Sequence, residues 1–275
     1  MQALRQAVGR VVVVDNNDQA PSAGPGPGVG EIIWNGNRGG LAGAYNRALA
    51  ALQLGTPAGP AHVVFVDQDS DVSALSRLLD DPEAAALLQR TDVAAVSPAY
   101  RDRATGLRGR YIELQRWSLR HLPRQFDGPK RVAFVINSLS VWRAPALQQL
   151  GPFNETLAVD HVDTEYGLRA RAAGLGVWVQ GSIEFAHAIG QRRRYQLLGR
   201  ELQAGGHSPA RRWLIARNTM WLARRWAWRE PAFAALCLMR LAYEVTGIVM
   251  AEDDKAAKLW AWLRGCCRGL VMRGS

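Results

Sequence analysis

Short apolar runs that end in polar side chains recur along this chain. Their β-branched and aromatic residues are typical of buried strands, and the polar ends mark the edge at which an open sheet binds ligands. Strands are predicted in this way at 11–14, 31–35, 62–66, 92–97, 130–136 and 176–180. Three of them end at Asp15 with Asn16, at Asp67 and at Asn137.

Segments with helical spacing lie between these strands. Helices are predicted over 47–52, 72–89, the end of 139–150, and the segment that includes Leu168 and Ala172, which ends at Gly174. Alternating strands and helices predict an α/β fold with a mostly parallel sheet, flanked by helices, whose polar strand ends meet at one edge.

The strand 62–66 runs into two carboxylates, Asp67 and Asp69, spaced i, i+2. Two hard oxygen donors at a strand end can hold a divalent cation that keeps water and phosphate ligands. The same residues also fit an Asp-rich turn with a helix N-cap at Ser70 or Asp71. The strand alone does not decide between the two.

The glycine-rich loop 36–46 opens the helix predicted over 47–52. Gly39, Gly40 and Asn46 belong to it, and backbone N–H groups of such a loop can approach a phosphate closely. Glycines also serve tight turns and close packing, so this alternative stays open.

Acidic residues also occupy the start of a later helix. Asp160 precedes it, and Asp163 and Glu165 lie in its first turn, where acids serve either chemistry or only the helix dipole. His187 follows the last strand, and a lone histidine there fits a structural role as well as a ligand role.

Charge and cysteine content set the remaining limits. Residues 1–190 contain 18 Lys and Arg against 18 Asp and Glu, whereas residues 191–275 contain 16 against 6 and six of the ten Trp. Three late cysteines without metal-ligand spacing indicate a reduced, cytoplasmic protein. The ten residues before the first strand contain no hydrophobic run, so no signal peptide is expected.

The basic, Trp-rich tail is predicted to be helical. Over 211–229, one arc of the helix either docks on a membrane or forms the solvated Arg side of a helix packed on the catalytic domain. The residues within or beside this arc are Arg211, Trp213, Arg217, Asn218, Trp221, Arg224, Arg225, Trp228 and Arg229. The segment 231–250 is apolar, but Arg240 and Glu244 favour a buried or interfacial helix over a span. Nucleic acid is not expected, because no recognisable nucleic-acid module accompanies the charge.

Taken together, the motifs VVVVDNND, NGNRGGLAGAYN, VFVDQDS, INS, AVDHVDTEYGLRARAAG and HAIG resemble those of inverting family 2 glycosyltransferases, within the bacterial rhamnosyltransferase-like branch. The resemblance covers about 11–190. It implies a Rossmann-like GT-A fold over 1–195 with a C-terminal helical extension over 196–275. It also implies that a first nucleotide-binding strand is missing before residue 11.

The resemblance implies a role for each candidate residue. Asp163 would be the catalytic base, and Asp67, Asp69 and His187 would surround Mg²⁺ or Mn²⁺ and the diphosphate. The residues implied in substrate binding are Asp15, Asn16, Gly39, Gly40, Asn46, Asp67, Asn137, Asp160 and Glu165.

The implied reaction is transfer of L-rhamnose from dTDP-L-rhamnose to a lipid-linked or growing bacterial surface glycan, by a protein held peripherally on the inner face of the cytoplasmic membrane. Three alternatives stay open: another nucleotide-sugar donor, nucleotidyl transfer by a similar sheet, and an inactive scaffold or glycan-binding protein.

Overall fold

A computed structural model of the chain describes residues 2–19, 31–68, 70–187, 193–197 and 200–273. The chain divides into two compact units. Unit 1 comprises Met1–Glu113 and His121–Ala188, and unit 2 comprises Leu114–Arg120 and Ile189–Ser275. The domain boundary expected at residue 195 stays a prediction.

Unit 1 is built around a five-stranded sheet. A separate pair of parallel strands precedes this sheet in the sequence. The strands of unit 1 are β1 (Val12–Asp15), β2 (Glu31–Trp34), β3 (His62–Val64), β4 (Val93–Asp102), β5 (Ile112–Leu114), β6 (Leu119–His121), β7 (Pro129–Val132), β8 (Val141–Arg143) and β9 (Gly176–His187), of which β5 and β6 reach into the segment assigned to unit 2. The large sheet has the order β3-β8-β4-β9-β7, and β1 pairs with β2 alone.

Helices flank these strands and bury the apolar faces. They are α1 (Gln2–Ala7), α2 (Gly40–Ala51), α3 (Ser73–Leu79), α4 (Pro82–Gln89), α5 (Ala144–Leu150) and α6 (Val162–Ala172). Leu75, Leu78 and Leu88 of α3 and α4 pack with Val93 and Val96 of β4 in one buried cluster. The α/β class expected from the sequence is confirmed.

Strand direction differs from the expectation of a mostly parallel sheet. Within the large sheet β3, β4 and β9 run in one direction and β7 and β8 in the other. Among its hydrogen-bonded neighbours, only β4 and β9 therefore pair in parallel. An apolar run buried on both faces looks the same in either direction, so the sequence pattern could not show this.

Four predicted elements also change their extent. The helix expected over 47–52 begins already at Gly40. The helical region 72–89 is two helices, because Pro82 starts α4 and Asp81 caps it by accepting a hydrogen bond from the Ala84 N–H. The strand predicted over 130–136 ends at Val132, and the last strand continues to His187.

Unit 2 contains three long helices and a hairpin. These are β10 (Arg193–Leu197), β11 (Arg200–Ala204), α7 (Pro209–Trp226), α8 (Pro231–Ala251) and α9 (Lys255–Val271). Gly265 and Gly269 let α9 approach α7, since a Cβ on either would lie 2.4 Å from a backbone oxygen of α7. Cys237 and Cys266 are buried and Cys267 is exposed, all three as free thiols.

The arc on α7 considered above for membrane docking is partly exposed and partly buried. Asn218 and Trp221 are buried, whereas four of its arginines are exposed: Arg211, Arg224, Arg225 and Arg229. The Ala216 side, opposite the arc, packs against Leu241 of α8 and Cys266 of α9. Membrane docking by this arc stays a prediction.

Candidate active site

Asp67 lies immediately beyond β3 and is held by a buried tyrosine of α2. The Tyr45 hydroxyl donates a hydrogen bond to Asp67 Oδ1 at 3.2 Å. The Tyr45 ring packs against Phe65 and Phe153, with centroids 4.7 and 5.1 Å away, so its position is fixed from both sides. Burial, together with the charges of Asp67 and Asp163, raises the pKa of Tyr45 well above its usual value. The hydroxyl therefore stays protonated and donates.

Asp163 comes to the same place from the first turn of α6. Its half-buried carboxylate accepts a hydrogen bond from the Thr164 N–H at 2.7 Å. Loss of surrounding water raises the pKa of Asp163 to about 6; the hydrogen bonds from Thr164 oppose this shift, and the negative charge of Asp67 adds to it. Two carboxylates that are far apart in sequence thus act on each other electrostatically.

Asn137 completes this group. It is buried after β7, and its amide lies beside the Tyr45 hydroxyl, where its hydrogen bonding partly offsets the raised pKa of Tyr45. We name Tyr45, Asp67, Asn137 and Asp163 the carboxylate cluster. Tyr45 is the member that the sequence did not single out, although it directly precedes Asn46 in the glycine-rich motif.

The turn after Asp67 is held in place on both sides of Asp69, which itself lies outside the described residues. The Ser70 N–H donates to the Asp67 carbonyl at 3.1 Å, and the Ser70 hydroxyl contacts that of Ser138. Among the residues that the structure describes, no three His, Cys, Asp or Glu side chains converge to hold a metal ion. Asp69, one of the predicted ligands, is not among the described residues.

Asp15 and Asn16 form a second polar group at the end of β1. The Asp15 carboxylate accepts a hydrogen bond from the Asn17 N–H at 3.0 Å. The Asn16 side chain accepts a hydrogen bond from the Asn35 amide at 2.7 Å and donates one to the Asn37 amide oxygen at 3.3 Å. The end of β1 is therefore tied directly to the glycine-rich loop.

Gly39 and Gly40 are required by packing. Both have positive φ, and a Cβ would lie 2.5 Å from the Glu155 carboxylate at Gly39 and 2.7 Å from the Ala158 carbonyl at Gly40. Asn46 uses both ends of its amide on the same segment, bonding Phe153 and Glu155. These contacts account for all three residues without a ligand, and their predicted role at the nucleotide stays a prediction.

Asp160 and Glu165 lie on either side of Asp163 but differ from it. Glu165 is buried and pairs with Arg169 one turn later, with an Arg169 Nη2 to Glu165 Oε2 distance of 2.5 Å. Arg169 also binds the carbonyls of Leu150 and Pro152, so this pair joins α6 to the end of α5. Asp160 is half-buried, beside the left-handed His161 that precedes α6.

His187 ends β9, opposite Asp102 of β4. The contacts described for it are with Tyr100 and Phe185, whose ring centroids lie 6.1 and 5.9 Å away, and with the Arg103 N–H, which donates to its carbonyl. None of these residues belongs to the carboxylate cluster. Its expected place at a metal stays a prediction.

The carboxylate cluster is suited to removing a proton from a substrate hydroxyl. A carboxylate with a pKa near 6 is ionised at neutral pH, yet it is a stronger base than an ordinary aspartate. Asp67, fixed by Tyr45, provides a second oxygen donor beside it. Unit 1 is thus an α/β unit in which two interacting acids meet, one beyond a strand and one at a helix start.

The chain was compared with known protein families, sequences and solved structures. No family model matches the chain. The chain is similar to the dTDP-rhamnosyl transferase RfbF of Shigella flexneri, with 26% identity over 201 residues that cover 70% of this chain. It spans 63% of the length of that relative.

A weaker likeness concerns a solved structure. The chain aligns with the crystal structure of GalNAc-T7 with UDP, GalNAc and Mn²⁺ at 13% identity and a TM-score of 0.41, covering 68% of this chain and 36% of that one. A TM-score of this size is too low to establish a shared fold.

Proposed function

We propose that this protein is a metal-dependent inverting glycosyltransferase of the GT-A type that transfers L-rhamnose from dTDP-L-rhamnose. The observation that carries the proposal is that Asp67, beyond β3, and Asp163, in the first turn of α6, come together around Tyr45. Burial first, and then the charge of Asp67, raise the pKa of Asp163 to about 6. The likeness to a dTDP-rhamnosyl transferase supports the choice of donor. The acceptor is a lipid-linked or growing surface glycan, at the inner face of the cytoplasmic membrane.

Asp163 acts as the base in this reaction. It takes the proton of the acceptor hydroxyl while that oxygen forms a bond to the anomeric carbon of rhamnose. The bond between this carbon and the diphosphate oxygen breaks on the opposite face, and the leaving dTDP keeps the electron pair. One base is sufficient for inversion, and the Thr164 N–H holds the Asp163 carboxylate in position.

Asp67 would bind the divalent cation together with Asp69. The donors present fit Mg²⁺ or Mn²⁺ in type, since such ions are commonly held by one or two carboxylates and by substrate phosphates. A bound cation would offset the charge that develops on the departing diphosphate. Tyr45 contributes by donating a hydrogen bond to Asp67 Oδ1, which fixes the position of this carboxylate.

The test combines donor binding with turnover. Calorimetry with dTDP-L-rhamnose and with UDP-sugars, with and without Mn²⁺, should show metal-dependent binding that favours the dTDP donor. With bacterial membranes as the acceptor source, Asp163→Asn should reduce dTDP release by at least about a thousandfold, while donor affinity changes little, because the base acts only in the chemical step.

Asp127→Asn is the matched control. Asp127 is exposed, so its substitution changes the same charge away from the cluster and should leave dTDP release unchanged. Binding of no nucleotide sugar by the unchanged protein would favour the scaffold alternative and contradict the proposal. Full activity of the Asp163→Asn variant would exclude Asp163 as the base.

A further inference from the structure

The outer side of α8 is an uncovered apolar surface. Phe233, Cys237, Leu241 and Ile248 on one side of this helix are buried, while the opposite side faces outward. Apart from Arg240, which is exposed beside this side, the outward residues are uncharged and recur at helical spacing: Ala235, Leu238, Met239, Ala242, Tyr243, Thr246, Val249 and Met250. We name this set the α8 outer face.

The α8 outer face presents several large apolar side chains to solvent. Leu238 and Met239 are 53% and 59% exposed. Thr246 uses its hydroxyl on the Ala242 carbonyl at 3.1 Å, so that polar group is satisfied within the helix. Contiguous exposed apolar surface of this kind marks a site of interaction with a protein or a membrane.

α9 has an exposed apolar face of the same character with a basic margin. Trp260, Leu263, Leu270 and Val271 are exposed at positions that share one side of the helix, and Trp260 is 61% exposed. Arg264 and Arg268 are exposed along one border of this side. Trp next to Arg and aliphatic residues is typical of helices that lie at the boundary between lipid headgroups and acyl chains.

The charge around these faces is almost entirely positive, because most of the acids are buried. Over 205–273, Glu230, Glu244 and Glu252 are buried, and the last two lie within 4 Å of buried Arg212. The exposed charged side chains of this range are nine Arg and Lys and the two acids Asp253 and Asp254. The exposed surface of this range therefore has a higher ratio of basic to acidic side chains than the sequence count suggests.

We propose that the α8 outer face and the exposed side of α9 dock on an anionic lipid bilayer as a peripheral surface. Positive charge around an apolar face complements anionic headgroups, whereas a second copy would bring the same positive charge against it. The proposal deepens the proposed function, on which it rests for the lipid-linked acceptor.

α8 is expected to lie in the plane of the bilayer. It is long and apolar enough to cross a membrane by length and composition, but 39% of the apolar window is buried within the structure. Its inner side packs on α7 and carries Glu244 close to Arg212. If α8 crossed the bilayer, this ion pair would be exposed to hydrocarbon, or α8 would have to separate from α7.

Vesicle flotation of the full chain tests the proposal and needs neither donor nor acceptor, so its outcome is independent of catalysis. The chain should float with phosphatidylcholine vesicles that contain phosphatidylglycerol and stay behind with phosphatidylcholine alone. Binding should weaken in about 1 M salt, where the Debye length is about 3 Å. Alkaline carbonate should release the protein, and resistance to it would overturn the peripheral arrangement.

Two variants separate the apolar contribution from the charge. Leu238→Glu with Val249→Glu places carboxylates on the α8 outer face and should weaken vesicle binding by more than about tenfold. Arg264→Gln with Arg268→Gln should weaken vesicle binding by about fivefold per residue. This variant should still bind apolar surfaces.

Leu107→Glu is the control, because Leu107 is an exposed leucine of unit 1. It should float like the unchanged chain, and thermal unfolding should show that all variants fold. Light scattering without lipid tests the rival occupant: a dimer that Leu238→Glu with Val249→Glu converts to monomer would overturn the bilayer proposal. Equal flotation of all variants would overturn it as well.

Discussion

Replacing Asp163 by Asn should stabilise the folded protein at neutral pH while it removes the base. The pKa of Asp163 is about 6 in the folded chain, against 3.8 for an ordinary aspartate. A difference of about two pKa units, at about 1.4 kcal/mol each, means that ionised Asp163 costs the folded state up to about 3 kcal/mol. Asn keeps an acceptor for Thr164 but loses charge assistance, so a net gain of about 1–2 kcal/mol is expected.

The pH dependence gives the sign of this effect. A carboxyl with a raised folded pKa favours the folded state while it is protonated, and this contribution is lost as the pH rises through about 6. The stability advantage of Asp163→Asn should therefore be near zero at about pH 4 and reach its full size above about pH 7. In thermal unfolding it should appear as a rise in Tm of a few degrees.

Asp71→Asn provides a control of opposite sign. Hydrogen bonds from Ser73 lower the pKa of Asp71, so its ionised form favours folding and its loss should lower Tm at neutral pH. An Asp163→Asn variant that unfolds at a lower temperature than the unchanged protein at about pH 7.5 would refute the reasoning. An advantage of equal size at about pH 4 would refute it too, because an effect of packing does not titrate.

Two further substitutions test the surroundings of the site. Tyr45→Phe removes the hydroxyl that donates to Asp67, and dTDP release should fall by about tenfold with the fold retained; an unchanged rate would show that this hydrogen bond does not position Asp67. Gly167→Ala places a Cβ 2.6 Å from the Phe134 Cβ and should lower the free energy of unfolding in urea by about 1–3 kcal/mol. Gly9→Ala, with nothing within 4 Å, should leave it nearly unchanged, and equal effects of the two would contradict the clash.

The sequence predicted most elements because the signals for them are local. The first-turn acids placed the start of α6 to within a residue or two, and the strands β1 and β2 match their apolar runs. In contrast, α2 begins at Gly40, inside the stretch expected to be a loop. Strand direction was not local, since β8 is antiparallel to two neighbours that lie far from it in sequence. The burial of α7 likewise depends on helices that follow it.

The same distinction between local and long-range signals applies to the candidate site. The sequence indicated Asp67, Asn137 and Asp163 through their positions beyond strands or in a first helical turn, and the structure brings them together around Tyr45. Asn46 was expected at the nucleotide, but its amide bonds Glu155, 109 positions away. Because a hydrogen-bond partner at that distance has no signature in spacing, packing glycines and asparagines look the same as binding ones.

Asp163 and Glu165 show why the environment decides which acid can be a base. They lie two residues apart in one helical turn, and the helix dipole acts on both. Glu165 is paired with Arg169, so its charge is neutralised where it is buried. Asp163 instead faces Asp67, and its ionised form is disfavoured by burial and by a like charge. A carboxylate held in an unfavourable charged state gains from accepting a proton, and this is the property that a general base requires.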